Sequence, residues 1–281
     1  MLPLVNIWLD VAGWVILALL VAALFGAHLS GNIIMGRVSE RFIRKKWWYL
    51  DALHEPLPKE YVNIILQRTW HWVNLMCFIG FFATGIYIRY PFIYEGARPL
   101  ISRMHILLAY INIINFSIRI IWTLSTKDRK NFTFDRSDID TLIKNVKYYI
   151  FLRKDYPHTK KFHPVQRATY VSMVVLFIPQ ILTGLVLLWP QIFGIFLSPI
   201  FGGLASAVAW SRIVHTFIFR VFLYIVIAHA YLAILETWPT LKYLWFGIVP
   251  QQTIHIGEHH HEAEPSVGEV PYSTSEDVTV H

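Results

Sequence analysis

Residues 210–236 read WSRIVHTFIFRVFLYIVIAHAYLAILE. The run is apolar and long enough to cross a bilayer core about 30 Å thick. It carries two histidines, His215 and His229. An α-helix turns about 100° and rises about 1.5 Å per residue, so fourteen steps bring His229 back to within about 40° of His215, about 21 Å further along. Two imidazoles then share one face, one near each side of the membrane. Ionisable groups inside a membrane are rare and usually functional. The arrangement suits a helix that ligates two stacked haems; the plainer alternative is a pair of buried histidines satisfied by hydrogen bonds.

Composition places this helix in a polytopic membrane protein. Of 281 residues, 55% are hydrophobic and 15% charged, far from the balance of a soluble domain. The net charge of +7 is carried by the connections, so it bears on topology and not on nucleic acid. A single cysteine, Cys77, excludes a disulfide framework, an iron–sulfur cluster held by this chain alone, and covalent haem attachment through a C-x-x-C-H site. Any haem is therefore non-covalent and b-type.

Four further apolar runs precede the fifth. The first, 11–35, reads as an uncleaved membrane helix. His28 near its far end reads as an interfacial histidine, or more sharply as part of a quinone or proton site. A basic connection follows, with Trp47, Trp48 and Tyr49 as interfacial aromatics and Pro56 and Pro58 as helix breakers. The second run, 69–90, opens with His71. Gly85 lies fourteen residues on, where a missing side chain lets a flat macrocycle approach the backbone, while Gly80 reads as a packing position. The third run, 103–124, opens with His105, and Arg119 follows at the same fourteen-residue interval. Arg119 either pairs with a haem propionate or snorkels to the interface. Asn112 and Asn115 are mid-membrane polar groups that need partners.

Residues 127–167 form the longest soluble connection. It reads first as a solvated basic loop containing a short amphipathic helix capped by Ser137 or Asp138; a membrane-surface helix or a partner contact are the alternatives. His158 belongs to the loop, and His163, next to Pro164, reads as interfacial and not as a ligand. The fourth run, 168–189, has no histidine; Pro179 offers a kink and Gly184 close packing. Residues 190–209, uncharged and glycine-containing, read as a re-entrant or surface-lying segment. Beyond Tyr243 the chain turns polar, and its HIGEHHHEAE cluster reads as part of a solvated tail, with transition-metal binding as the alternative. Three parts result: an extra N-terminal span with its basic connection (1–63), a four-helix di-haem domain (64–246) and the polar tail (247–281). The expected fold is an all-α integral membrane protein of five spans.

Charge sets the orientation. The connections after spans one and three carry seven and eleven Lys and Arg, those after spans two and four three and one. The positive-inside rule then puts the basic connections in the cytoplasm, with the N-terminus outside and the C-terminus inside. This topology gives each histidine a depth. His105 and His215 each open a helix entering from outside; His71 opens one entering from the cytoplasm, and His229 lies deep in the fifth span. Depths therefore pair His105 with His215 near the outer side, and His71 with His229 near the inner side. Imidazoles at both axial positions leave an iron no open site, which makes such haems electron carriers.

RTWHWVNLMCFIGFFATGIYI, SRMHILLAYINIINFSIRIIW, HPVQRATYVSMVVLFIPQILTGLVL and IAHAYLAILE resemble the four-helix core of the b-type cytochrome subunits of membrane-bound nickel–iron hydrogenases. The gamma subunit of respiratory formate dehydrogenase is similar. The likeness spans roughly residues 64–246. It implies two haems b held by His71, His105, His215 and His229. It also implies a quinone site (menaquinone or ubiquinone) near the cytoplasmic haem, and an extracytoplasmic catalytic subunit reached through an iron–sulfur subunit, all at the inner (cytoplasmic) membrane. The extra N-terminal span and the long tail depart from the pattern and leave the partner open; the equivalent subunit of a formate dehydrogenase, or of another molybdenum or sulfur-compound complex, is the alternative. A free-standing di-haem quinol oxidase and a non-haem transporter are the remaining classes. A transporter calls for inverted repeats and broken helices around a midplane site, whereas these histidines sit in pairs near both interfaces.

Overall fold

The computed structural model describes residues 2–47, 64–126, 129, 132–157 and 164–246. Trp48, Tyr49, Pro56, Pro58, His158, His163 and the histidine cluster of the tail lie outside the described residues, as does the whole of the unit 251–281. Within the described residues the chain is helical throughout. The order is α1 (Leu2–Val21), which runs through a π-helical stretch (Ala22–His28) into α2 (Leu29–Ile34), then α3 (Arg37–Phe42), α4 (Ile64–Arg89) and α5 (Arg98–Ser125). The chain continues with α6 (Ser137–Tyr149), α7 (Pro164–Leu188), α8 (Ile195–Phe201), α9 (Leu204–Glu236) and α10 (Trp238–Phe246). Five helical stretches are long and apolar enough to cross a membrane: Leu4–Ile34, Leu66–Arg89, Glu95–Ser125, Pro164–Leu188 and Leu204–Glu236.

Heptad spacing explains how each span divides its faces. On α5, Leu107, Ile114 and Ile121 are 60%, 61% and 63% exposed, a stripe fit for lipid. His105, Asn112 and Arg119 repeat at the same interval two residues behind, hence about 200° away on the helical wheel. The polar stripe finds partners on α4. Asn112 Nδ2 donates to Asn74 Oδ1 at 3.0 Å, and Asn115 Nδ2 donates to Asn74 Oδ1 at 2.9 Å and to the Trp70 carbonyl at 3.2 Å. Unsatisfied amides in hydrocarbon cost several kcal/mol each, so this triad fixes the register of α4 on α5. Gly80 adds close approach: a Cβ there would meet Leu108 Cδ1 at 2.5 Å.

Backbone packing concentrates within two helix pairs, α4 with α5 and α7 with α9. The pairs meet through rings. Phe116 of α5 lies against Phe177 of α7 at 4.1 Å between centroids, and Phe219 of α9 stacks near Phe78 and Phe82 of α4.

The N-terminal helix begins earlier than its hydropathy suggests. Asp10 reads as the polar edge before the first run, yet it lies inside α1. Its carboxylate is matched by two guanidinium groups, Arg89 at the end of α4 and Arg220 in the middle of α9, with the Tyr90 hydroxyl donating at 2.9 Å. Beside it, Tyr224 of α9 donates to the Gly13 carbonyl at 2.7 Å. A Cβ on Gly13 would meet Arg220 Cδ at 2.6 Å, so only glycine lets α1 close on α9 here. The segment expected to be re-entrant or surface-lying is a π-helical turn (Pro190–Gly194) and α8, packed on α9; the left-handed Gly202 (φ 75°) and the positive φ of Gly203 (123°) then turn the chain into α9.

The basic connection differs from a solvated loop. Its helix α6 is present, but Asp135 caps it, earlier than Ser137 or Asp138. The Asp135 carboxylate accepts from the Asp138 N–H at 3.2 Å, and the Asp138 carboxylate accepts from the Asp135 N–H at 2.8 Å, a reciprocal cap. Asp138, Asn145 and Tyr148 form a buried face. Asp138 is ion-paired to Arg167 of α7, and Arg41 of α3 donates to the Tyr148 hydroxyl at 2.6 Å. Three of the arginines counted as loop charge, Arg37, Arg41 and Arg167, are each 2% exposed.

Candidate functional site

The α4–α5 and α7–α9 pairs converge on His105 and His215, whose ring centres are 6.4 Å apart. Two imidazoles sharing one metal through a nitrogen each, at about 2 Å per bond, have ring centres roughly 6 Å apart. The spacing and the donor chemistry thus fit axial ligation of one iron. Each ring is held from behind in the same way. Thr84 Oγ1 lies 2.8 Å from His105 Nδ1, and Thr183 Oγ1 lies 3.0 Å from His215 Nδ1. Each hydroxyl also reaches the carbonyl one turn back, Gly80 at 2.6 Å and Pro179 at 2.7 Å.

The glycine after each threonine flanks the same ring: a Cβ on Gly85 would meet His105 Cε1 at 3.9 Å, and one on Gly184 would meet His215 Cε1 at 3.4 Å. Gly85 therefore sits where the fourteen-residue spacing from His71 put it, at the opposite level, against the imidazole of His105. Gly184, expected as a packing glycine, packs against His215. Phe81 closes on His105 edge to face at 5.1 Å. Gln180 Nε2 lies 3.2 Å from His215 Nε2.

His229 lies fourteen residues along α9 from His215, and His71 lies about two turns into α4. The His71 ring stands perpendicular to Trp72 at 5.8 Å. Its Nδ1 is buried and has no hydrogen-bond partner among the described residues, an orphaned donor or acceptor that a bound group at this level would answer.

Arg119 lies over the Trp70 ring at 5.2 Å and near the Phe132 ring at 5.9 Å, at the end of α5 away from His105. His28 is not a solitary interfacial side chain. Its Nδ1 is 2.8 Å from the Tyr231 hydroxyl, two residues beyond His229, and Asn32 Nδ2 approaches its ring at 3.3 Å. Asn32 accepts from Arg41 at 3.3 Å, and Arg41 pairs with Glu236 at 2.6 Å. A polar network thus joins the N-terminal segment to the cytoplasmic end expected of α9.

Sequence reasoning missed Thr84, Thr183, Gln180, Asn74 and Tyr231. One signal was present: a Thr-Gly dipeptide near the C-terminal end of both α4 and α7, each followed by a histidine in the next long helix.

Paired imidazoles inside an apolar helical bundle are what a membrane cytochrome offers to haem. The family described as prokaryotic cytochrome b561 matches residues 65–250, and the chain belongs to that family. It is a multi-pass membrane protein, a b-type cytochrome that binds haem b and takes part in electron transfer. No curated protein and no solved structure matches the chain.

Proposed function

We propose that this cytochrome holds two haems b and connects an extracytoplasmic oxidoreductase to the membrane quinone pool. His105 and His215 hold the outer haem, and His71 and His229 the inner one. The observation that carries the reading is the 6.4 Å approach of the His105 and His215 rings from two separate helix pairs, with His229 on the same helix two haem levels' distance away. Haem b, when bound, would supply a one-electron carrier. The chain's own part is to fix the ligands: α9 would contribute one imidazole per level, α5 the outer partner and α4 the inner. Gly85 and Gly184 keep side chains out of the space around the outer rings, and Arg119, near the Trp70 ring, would meet a propionate at the inner level.

Charge placement supports the orientation with the N-terminus outside and the basic connections in the cytoplasm of a cell with an inner membrane. The partner that delivers electrons docks on the outer face, beside His105 and His215, through an iron–sulfur subunit. The resemblance of the core helices favours a nickel–iron hydrogenase as the catalytic subunit. Quinone, menaquinone or ubiquinone, is reduced near His71 and His229, where the His28–Tyr231 contact lies within two residues of a ligand. The test is haem stoichiometry by pyridine haemochrome. The parental chain is expected to hold two haems, and His105→Ala or His215→Ala to hold one with the inner spectrum intact. Two haems retained in either variant would refute the pairing.

A further inference from the structure

We infer that Thr84 and Thr183 are positioning residues that make both ligands of the outer haem stronger electron donors, lowering its midpoint potential. The inference rests on His105 and His215 being ligands, as proposed above.

A hydroxyl has one hydrogen to give, and a backbone carbonyl can only accept. At 2.6 Å from the Gly80 carbonyl, Thr84 Oγ1 must spend its hydrogen there, since two acceptors that close with no hydrogen between them repel. Its lone pair then faces His105 Nδ1 at 2.8 Å, so Nδ1 carries the proton and donates. The same holds for Thr183, with the Pro179 carbonyl at 2.7 Å and His215 Nδ1 at 3.0 Å. Both rings therefore hold the tautomer that presents Nε2 to a metal.

The consequence goes beyond orientation. An imidazole that donates from its second nitrogen is a more basic ligand, and hydrogen bonding around the axial ligand is one of the protein's levers on haem potential. A more basic pair favours ferric over ferrous iron. Thr84 and Thr183 are 6% and 9% exposed, so both bonds are shielded from bulk solvent.

The experiment is a potentiometric titration of the purified two-haem protein, resolved by haem, for parental, Thr84→Val, Thr183→Val, Thr84→Ser and Thr183→Ser chains. Each valine variant is expected to raise the outer midpoint by up to about a tenfold change in the oxidised-to-reduced ratio, about 59 mV for one electron, with the inner midpoint unmoved. Serine, which keeps the hydroxyl, is expected to restore the parental value. An outer midpoint unchanged by valine, or a shift shared equally by both haems, overturns the inference. If valine prevents assembly, the alanine variants and the redox-difference infrared bands of the parental histidine rings give the second readout, and bands of a free Nδ1–H would overturn it equally. Failure of the ligand assignment itself shows separately, as two haems retained in His105→Ala.

Discussion

Arg41 and Glu236 meet at 2.6 Å with side chains 2% and 5% exposed, a buried ion pair between the N-terminal segment and the last residue of the haem-bearing helix α9. Glu236 lies seven residues, two helical turns, past His229. The pair also reaches Tyr148 of α6 and Asn32 of α2 through Arg41. Three segments that are distant in sequence are joined there.

Breaking such a pair from one side leaves a buried charge uncompensated, at a cost of about 3–5 kcal/mol, whereas replacing both partners by apolar groups is often near neutral. Arg41→Met and Glu236→Leu are each expected to lower the midpoint of thermal unfolding in detergent strongly, and the double variant to recover most of the loss. Additive losses in the double variant would show that the two side chains act independently.

His71→Ala is expected to abolish quinone reduction while donor-dependent bleaching of the outer haem band persists. His105→Ala is expected to block both. Stopped-flow spectra with the electron-donating partner separate the two bands by rate. Quinone reduction at the parental rate in the His71 variant would exclude the inner site as the point of exit.

Lys144 is an exposed residue of α6, on the connection assigned to the cytoplasm. A cysteine placed there, in a chain whose buried Cys77 is left in place, is expected to resist an impermeant thiol reagent in intact cells and to label after lysis. Labelling in intact cells would invert the topology.

The Tyr148 phenol is fully buried, and burial, reinforced by the Glu236 charge, pushes it from 10.0 up to about 12. Its folded pKa is raised, so its contribution to stability is complete below about pH 10 and is lost as the pH rises through about 12. The stability difference between the parental chain and Tyr148→Phe is therefore expected to be constant from neutral pH to about 10 and to shrink above it. Thermal melts of both chains across that range check this; a difference already falling near pH 8 would contradict it.

The spans and the shared face of His215 and His229 on α9 were legible because each depends only on local periodicity. Apolar length marks a crossing, and a fourteen-residue interval returns to the same face whatever packs against it. Support for the imidazoles was not legible in the same way, because Thr84 acts on His105 and Thr183 on His215 from the other helix of each pair. The start of α1 was misplaced because a lone carboxylate reads as water-facing until its partners are known, and Arg89 and Arg220 are far along the chain. The docking of α6 was hidden for a related reason. Its basic residues suggest a solvated loop, while Asp138, Asn145 and Tyr148, which bury it, are only three of its thirteen residues.

Asp10, held between Arg89 and Arg220, has a consequence for how the protein is made. A carboxylate within an apolar helix is costly in lipid until it is matched, and α1 is synthesised before either of its partners. Arg89 emerges some eighty residues after Asp10, and Arg220 only when α9 has been synthesised. Asp10 thus waits on residues made much later, and a truncation that stops short of Arg220 leaves its charge only half answered.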